Sequence, residues 1–182
     1  MRIRHSNRDD LPRIRAIYQR ARTFMAQQGN PGQWGDSWPP ENLMESDACG
    51  ENADYGYVCE NDGQVVGVFF YKTGDDPTYA VIHDGAWLDD SPYGVVHRIA
   101  TDGTVKGVGT FCLNWAFEQC GHLRIDTHAD NVPMQNLLRK LGFAHCGTIY
   151  VFEDDAPRMA FEKSESFGCS EERNHPAQQL HS

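Results

Sequence analysis

The 182-residue chain has no apolar run long enough to cross a bilayer. Its longest, Val65-Val66-Gly67-Val68-Phe69-Phe70-Tyr71, is the length of a strand, where a spanning helix needs roughly 18 residues. The charged start (Arg2, Arg4, Arg8) carries no apolar segment of the kind a secretory signal needs, so a cytoplasmic location is expected, with no membrane partner. The six cysteines, Cys49, Cys59, Cys112, Cys120, Cys146 and Cys169, form no CxxC pair. In a chain this long, without a signal, they read as reduced thiols rather than as a disulfide framework. Basic charge is scarce: 16 Lys and Arg stand against 26 Asp and Glu, a net charge of -10. That disfavours nucleic acid as a partner. It suits a cationic ligand such as an amine, or serves solubility alone. His122, His128, His145 and Cys146 lack the spacing of a structural zinc site, so no metal is expected. Internal repeats and a second core are also missing.

What is present is ordinary globular material, 40% hydrophobic and 23% charged, of a length that suits one domain. Residues 9–28 place Leu11, Ile14, Ile17, Tyr18, Ala21, Phe24 and Met25 on one stripe, which predicts a helix started by Asp9 or Asp10 with Pro12 in its first turn. A loop with Trp34 and Trp38 follows, then a short helix near Glu41–Asp47. Tyr55–Glu60 and Gln64–Lys72 read as strands around an Asn61-Asp62-Gly63 hairpin turn. Tyr79–Asp84 and Tyr93–Thr101 read as further strands. A helix from the glycine-rich segment to about Cys120 precedes a strand at Leu123–Thr127. A second helix at Pro133–Leu141 is closed by Gly142, and strands at 143–152 and 158–162 end the pattern. Residues 164–182 are polar and aperiodic, and are expected to form a mobile tail. The order predicts an α+β domain with one crossover that places two strands parallel.

Gly103-Thr104-Val105-Lys106-Gly107-Val108-Gly109-Thr110 lies between a predicted strand and a predicted helix. Glycines let a ligand approach the backbone, and a helix start offers unpaired N–H groups and a positive dipole end, which together make a phosphate site. Two phosphate loops are excluded. A P-loop would need Lys and Ser or Thr after its last glycine, where Thr110 and Phe111 stand. A dinucleotide loop would need glycine at Cys112. A structural turn without ligand is the plain alternative.

Downstream, Asn131-Val-Pro-Met-Gln-Asn-Leu-Leu-Arg-Lys-Leu-Gly142-Phe143 follows a strand, and with the glycine loop at this distance it resembles the closing motif of the GNAT superfamily of acyl-CoA N-acyltransferases. The resemblance spans about residues 1–163. It implies a mixed, mostly antiparallel central sheet, flanked by helices, with one splayed parallel strand pair. Coenzyme A would lie in the splay, its arm along Ile99, Ala100 and Thr101 and against Asn131, its pyrophosphate on the amides of Val105, Lys106, Gly107, Val108, Gly109 and Thr110. Asn131 is equally suited to capping the helix. The chain departs from the family pattern twice: Thr104 replaces an Arg or Gln that opens the loop, and Leu138 replaces a general-acid Tyr.

The leaving thiol, with a pKa of about 8.5 when free, departs with modest help, so loss of that Tyr does not forbid transfer. Tyr150 and His128 are candidate acids. A primary amine, at about 10.4, is mostly protonated near neutrality, so a base matters more. His128 is the first candidate and His97 the second, with His83 and Asp84 at another strand end. A backbone N–H near Ile99 or Ala100 would serve the oxyanion. Trp34, with Trp38, and the His83-Asp84 pair would line the acceptor site. The expected function is transfer of an acetyl group from acetyl-CoA to a small-molecule primary amine by direct attack. The alternatives are a coenzyme A-binding regulatory module without useful catalysis, and an unrelated α+β domain with a structural loop. A homodimer is an open arrangement, and the acceptor is not named by the sequence.

Overall fold

A computed structural model describes residues 1–151 and 156–165. One seven-stranded sheet runs in the order β1-β2-β3-β4-β5-β7-β6. The strands are β1 (Arg2–His5), β2 (Gly56–Asn61), β3 (Gln64–Thr73), β4 (Gly94–Thr101), β5 (His122–Thr127), β6 (Ala144–Tyr150) and β7 (Pro157–Ser164). Four helices flank it: α1 (Leu11–Gln27), α2 (Glu41–Cys49), α3 (Val108–Cys120) and α4 (Val132–Lys140). Among the described residues only β4 and β5 pair in parallel. The expected α+β architecture is therefore the observed one. β7 continues through Ser164, and the remainder of the expected tail, 166–182, lies outside the described residues.

Alternation along the strands sends side chains to two cores. Val58, Val65, Val68 and Ala100 meet the α1 stripe of Leu11, Ile14, Ile17 and Tyr18, joined by Met44 and Ala48 of α2. Cys59, Phe69, Val96, Leu123 and Ile125 meet α3 (Val108, Cys112, Leu113, Ala116) and α4 (Leu138) on the opposite face. A third cluster, Tyr79, Tyr93, Val95, Ile149 and Ala160, forms under the 76–93 segment. Among the described residues all five cysteines are free. Cys146 is buried, and burial followed by the nearby Glu162 charge pushes its thiol up to about 12, which makes it an inert packing group. No helix among the described residues is long and apolar enough to cross a membrane.

Three local expectations are corrected. First, Tyr79–Asp84 is not a strand. Asp76 accepts the Thr78 N–H at 3.0 Å and starts a 3-10 turn over Pro77–Tyr79, Val81 is 62% exposed, and only His83 bridges to Thr148. Tyr79 is buried as part of that turn, and the residues after it form no buried strand face. Second, Arg2–His5 is a strand that its charges disguised. It is an edge strand held by ion pairs of Arg2 and Arg4 with Glu60, and of Arg4 with Asp10. Third, Asp10 is the N-cap of α1 as expected but makes no side-chain cap bond to it, and the capping box lies on the 3-10 turn Arg8–Asp10 just before. The Asn7 side chain accepts the Asp9 N–H at 2.9 Å and the Asp10 carboxylate accepts the Asn7 N–H at 2.9 Å, a reciprocal box.

Candidate functional site

The parallel pair is joined only at Gly94–Leu123 and Val95–Arg124. Beyond that point β4 carries a bulge. Its register with β3 jumps between the Val68–Ala100 and Phe70–His97 pairs, and Arg98 adopts φ 54°, a left-handed conformation costly for a residue with a Cβ. The bulge is held: Arg98 lays its guanidinium over Phe70 at 4.5 Å and forks onto Asp47 at 2.9 and 3.0 Å, while Tyr18 donates to its carbonyl at 2.9 Å. Asp47 is buried, which raises its pKa, and Arg98 opposes that rise. The strands thus separate, and two cavities open on either side of the gap, sharing Met25, Ile99, Asn131 and Met134.

The first, a groove of about 490 Å³, runs from Ile99-Ala100-Thr101 past Gly103, Gly107, Gly109 and Thr110 to Asn131, with Phe24 and Leu137 on its apolar walls. Gly107 sits at the N-cap of α3 with φ 82°, and no side chain caps the helix. The first helical hydrogen bond is from the Phe111 N–H to the Gly107 carbonyl at 2.9 Å, so the N–H groups of Val108, Gly109 and Thr110 precede any helical partner. A Cβ at Gly109 would come within 3.2 Å of Leu137. This is a cradle for an anion built from backbone. Behind it stands Asp102, 2% exposed, which accepts both the Thr104 N–H at 2.9 Å and the Thr104 hydroxyl at 2.7 Å. Arg13 of α1 neutralises Asp102 and also donates to the Val65 carbonyl at 2.7 Å. Thr104 therefore braces the loop instead of reaching into the groove. Val108 is a core side chain, Val105 packs on the same core, and Lys106 is exposed at the loop tip, outside the groove lining.

Asn131 does two things. Its carbonyl oxygen accepts the Met134 N–H at 3.2 Å, and its amide donates to Gln33 at 2.9 Å; Gln33 also accepts from Asn30 at 2.8 Å. The tryptophan loop is thereby tied to the start of α4 where the cavities meet.

The second cavity, about 590 Å³, lies between that loop (Trp34, Trp38) and a row of charged groups. Its centre is His97 on β4. The His97 Nε2 lies 3.0 Å from Asp76 Oδ2, and its Nδ1 lies 3.9 Å from Asp126 Oδ1 on β5. Tyr79 donates to Asp126 Oδ1 at 2.8 Å, and the Lys72 ammonium is 3.6 Å from Asp76. Burial pushes Asp76 upward, but the hydrogen bond and charge of His97, with the Thr78 N–H, outweigh it and hold the carboxyl well below the usual range. Burial, then Asp126, pushes the Tyr79 phenol far up, so it stays a donor. An ionised Asp76 can only accept. In the neutral imidazole the proton therefore sits on Nε2, and the Nδ1 lone pair faces Asp126 and the cavity. Arg158 of β7 completes the wall, and the Thr127 hydroxyl at the end of β5 is buried without a hydrogen-bond partner.

The structure brings together His97, Trp34, Asn131 and the groove residues Ile99, Ala100, Thr101, Gly107, Gly109 and Thr110. It sets the others apart. His128, expected first as the base, lines neither cavity; its Nδ1 accepts the Asp130 N–H at 3.2 Å and orders the turn into α4. Tyr150 is 45% exposed at the end of β6, against His83 (ring centroids 5.3 Å apart), and neither it nor His83 nor Asp84 reaches a cavity. Leu138 is a fully buried core residue. Asp76, Asp126, Lys72 and Tyr79 were missed. Asp126 had one weak signal, an acid one residue before the strand end; Asp76 read only as a turn.

A splayed parallel strand pair with an anion cradle on one side and a titratable cavity on the other defines a two-substrate transferase. The chain belongs to the acetyltransferase (GNAT) family, whose model matches residues 11–143, and it is an acetyltransferase. A GNAT-family acetyltransferase from Streptococcus agalactiae is 29% identical, with a TM-score of 0.79 covering 90% of this chain and 95% of that one. Two more distant structures share the fold. One is a ribosomal-protein-alanine N-acetyltransferase from Brucella melitensis (21% identity, TM-score 0.58, 90% of this chain and 99% of that one). The other is a phosphinothricin acetyltransferase from Sinorhizobium meliloti solved with acetyl-CoA (14% identity, TM-score 0.59, 99% and 95%). A search among curated proteins finds no match.

Proposed function

We propose that the chain transfers an acetyl group from acetyl-CoA to an amine by direct attack, with His97 as the base. The observation that carries this reading is the meeting of the groove and the His97 cavity at Ile99 and Asn131, where a thioester carbonyl and an amine would share one small volume. The pyrophosphate suits the amides of Val108, Gly109 and Thr110 at the α3 start. The pantetheine arm suits the β4 edge at Ile99–Thr101, which has no β5 partner there. An ammonium entering beside Asp126 passes one proton to His97 Nδ1, oriented by Asp76 through Nε2. The amine nitrogen then bonds to the acyl carbon, charge on the acyl oxygen is received by a β4 backbone N–H, and the C–S bond breaks to give the coenzyme thiolate, which takes up the second proton shed by the amine nitrogen. The unpaired Thr127 hydroxyl is a donor available to that thiolate, in place of the side chain that Leu138 cannot supply.

A thiol-release assay with acetyl-CoA and a panel of amines, beside calorimetry of acetyl-CoA binding, tests the reading. The expected result is micromolar to millimolar acetyl-CoA binding and amine-dependent thiol release. Binding without release for any amine would leave only a coenzyme A-binding module, and no binding at millimolar ligand would end both readings.

A further inference from the structure

The charge of the whole chain points towards a cationic acceptor, but the cavity itself is dipolar. Arg98 is committed to Asp47 and drops out of the balance. What remains along one wall is a row of Lys72, Asp76, His97 and Asp126, with Arg158 alongside. Within this row the two carboxylates are not equivalent. Asp76 is occupied by His97, the Thr78 N–H and Lys72. Asp126 is engaged through Oδ1 by Tyr79, at the wall position that faces the His97 lone pair. Lys72 is the loosely held cation: among the described residues its one ion pair is the 3.6 Å contact with Asp76, longer than a hydrogen bond, and it lines the cavity. A polyamine would meet Lys72 with like charge, and a plain monoamine would leave Lys72 only its long contact with Asp76, a carboxylate already shared with His97 and the Thr78 N–H.

We propose that the acceptor is a zwitterion, a carboxylate-bearing amine of the free amino-acid class, with its ammonium at Asp126 beside His97 and its carboxylate at Lys72. The aromatic side of the cavity, Trp34 and Trp38, leaves room for an apolar side chain. The inference rests on the amine-transfer reading above and narrows it.

The test pairs each of several free amino acids with the amine that lacks only its carboxylate, for example phenylalanine with 2-phenylethylamine. It compares kcat/KM by thiol release, corrected for the fraction of free amine. The amino acids are expected to be preferred by about ten- to a hundredfold, the worth of one charge-assisted hydrogen bond. Lys72→Met should collapse that preference to below about threefold through the KM of the amino acid, and Lys72→Arg should retain most of it. Asp126→Asn should raise KM for both members of each pair alike. Equal or better turnover of the carboxylate-free amines, or an unchanged preference in Lys72→Met, would overturn this inference and leave amine transfer standing. Absence of thiol release with every amine of either kind would overturn both together.

Discussion

The groove and the cavity are built from different materials. The groove binds with backbone: a glycine at φ 82°, three unpaired helix N–H groups and a strand edge. Of the two charged residues that line it, Arg20 and Asp102, the carboxylate is neutralised from behind by Arg13. The cavity binds with side chains that four separate stretches of chain deliver: Lys72 from β3, Asp76 and Tyr79 from the turn after it, His97 from β4, Asp126 from β5. A backbone site needs glycine and helix spacing, which are local. A side-chain site needs only that distant strands converge, and it can be rewritten for a new acceptor without disturbing the cofactor side.

That division can be broken by experiment. The largest effect is expected at His97. His97→Gln should lower kcat by about a hundred- to ten-thousandfold, the usual worth of a general base, with acetyl-CoA affinity by calorimetry kept within about twofold. A parallel loss of cofactor binding would mean that the two regions are not separable. Gly107→Trp attacks the other side. It forces a side chain into φ 82° and over the amides, and should weaken acetyl-CoA binding about a hundredfold or more, the loss of two charge-assisted hydrogen bonds. Full activity in that variant would refute the placement of the phosphates.

Smaller effects sharpen the contrast. Arg13→Ala leaves Asp102 buried beside the phosphate cradle with its guanidinium gone. Stability should fall by about 1–3 kcal/mol, and the KM for acetyl-CoA should rise while that for the amine stays put. Asp76→Asn probes the cavity through pH. The folded carboxyl titrates below its unfolded value near about 3.9, so its stabilisation is full at neutral pH and is lost as pH falls below that value towards the folded one. Chemical denaturation should show a gap of about 1.5–3 kcal/mol between wild type and variant at pH 7 that narrows by pH 3. A gap that widened in acid would contradict the assignment. Thr127→Val should cost least, under about tenfold in kcat, because a thiolate leaves with little help.

The elements that could be read from the chain are those whose signal is local. The α1 stripe, the Asn-Asp-Gly hairpin, the glycine loop and the Asn131-to-Phe143 segment were all legible, and each is where it was expected. The failures share a cause. Arg2–His5 is a strand because Gly56–Asn61 offers it an edge and Glu60 answers its arginines, facts 58 residues away. Tyr79–Asp84 reads as a strand but finds no strand neighbour beyond the His83 bridge. His128 looked like a base because it follows a strand end, yet its ring turns back to the Asp130 N–H.

By itself, then, the sequence determined the fold class, the place of the glycine loop at the start of α3 and the family, because helix stripes, turn residues and glycine spacing act over a few residues at a time. Only the tertiary structure decided which histidine enters the cavity and which charged groups surround it. Ion pairs and hydrogen bonds depend on distance through space, and the bulge at Arg98 and the parting of β4 from β5 set those distances. It is there that His97, rather than His128, comes to lie between Asp76 and Asp126.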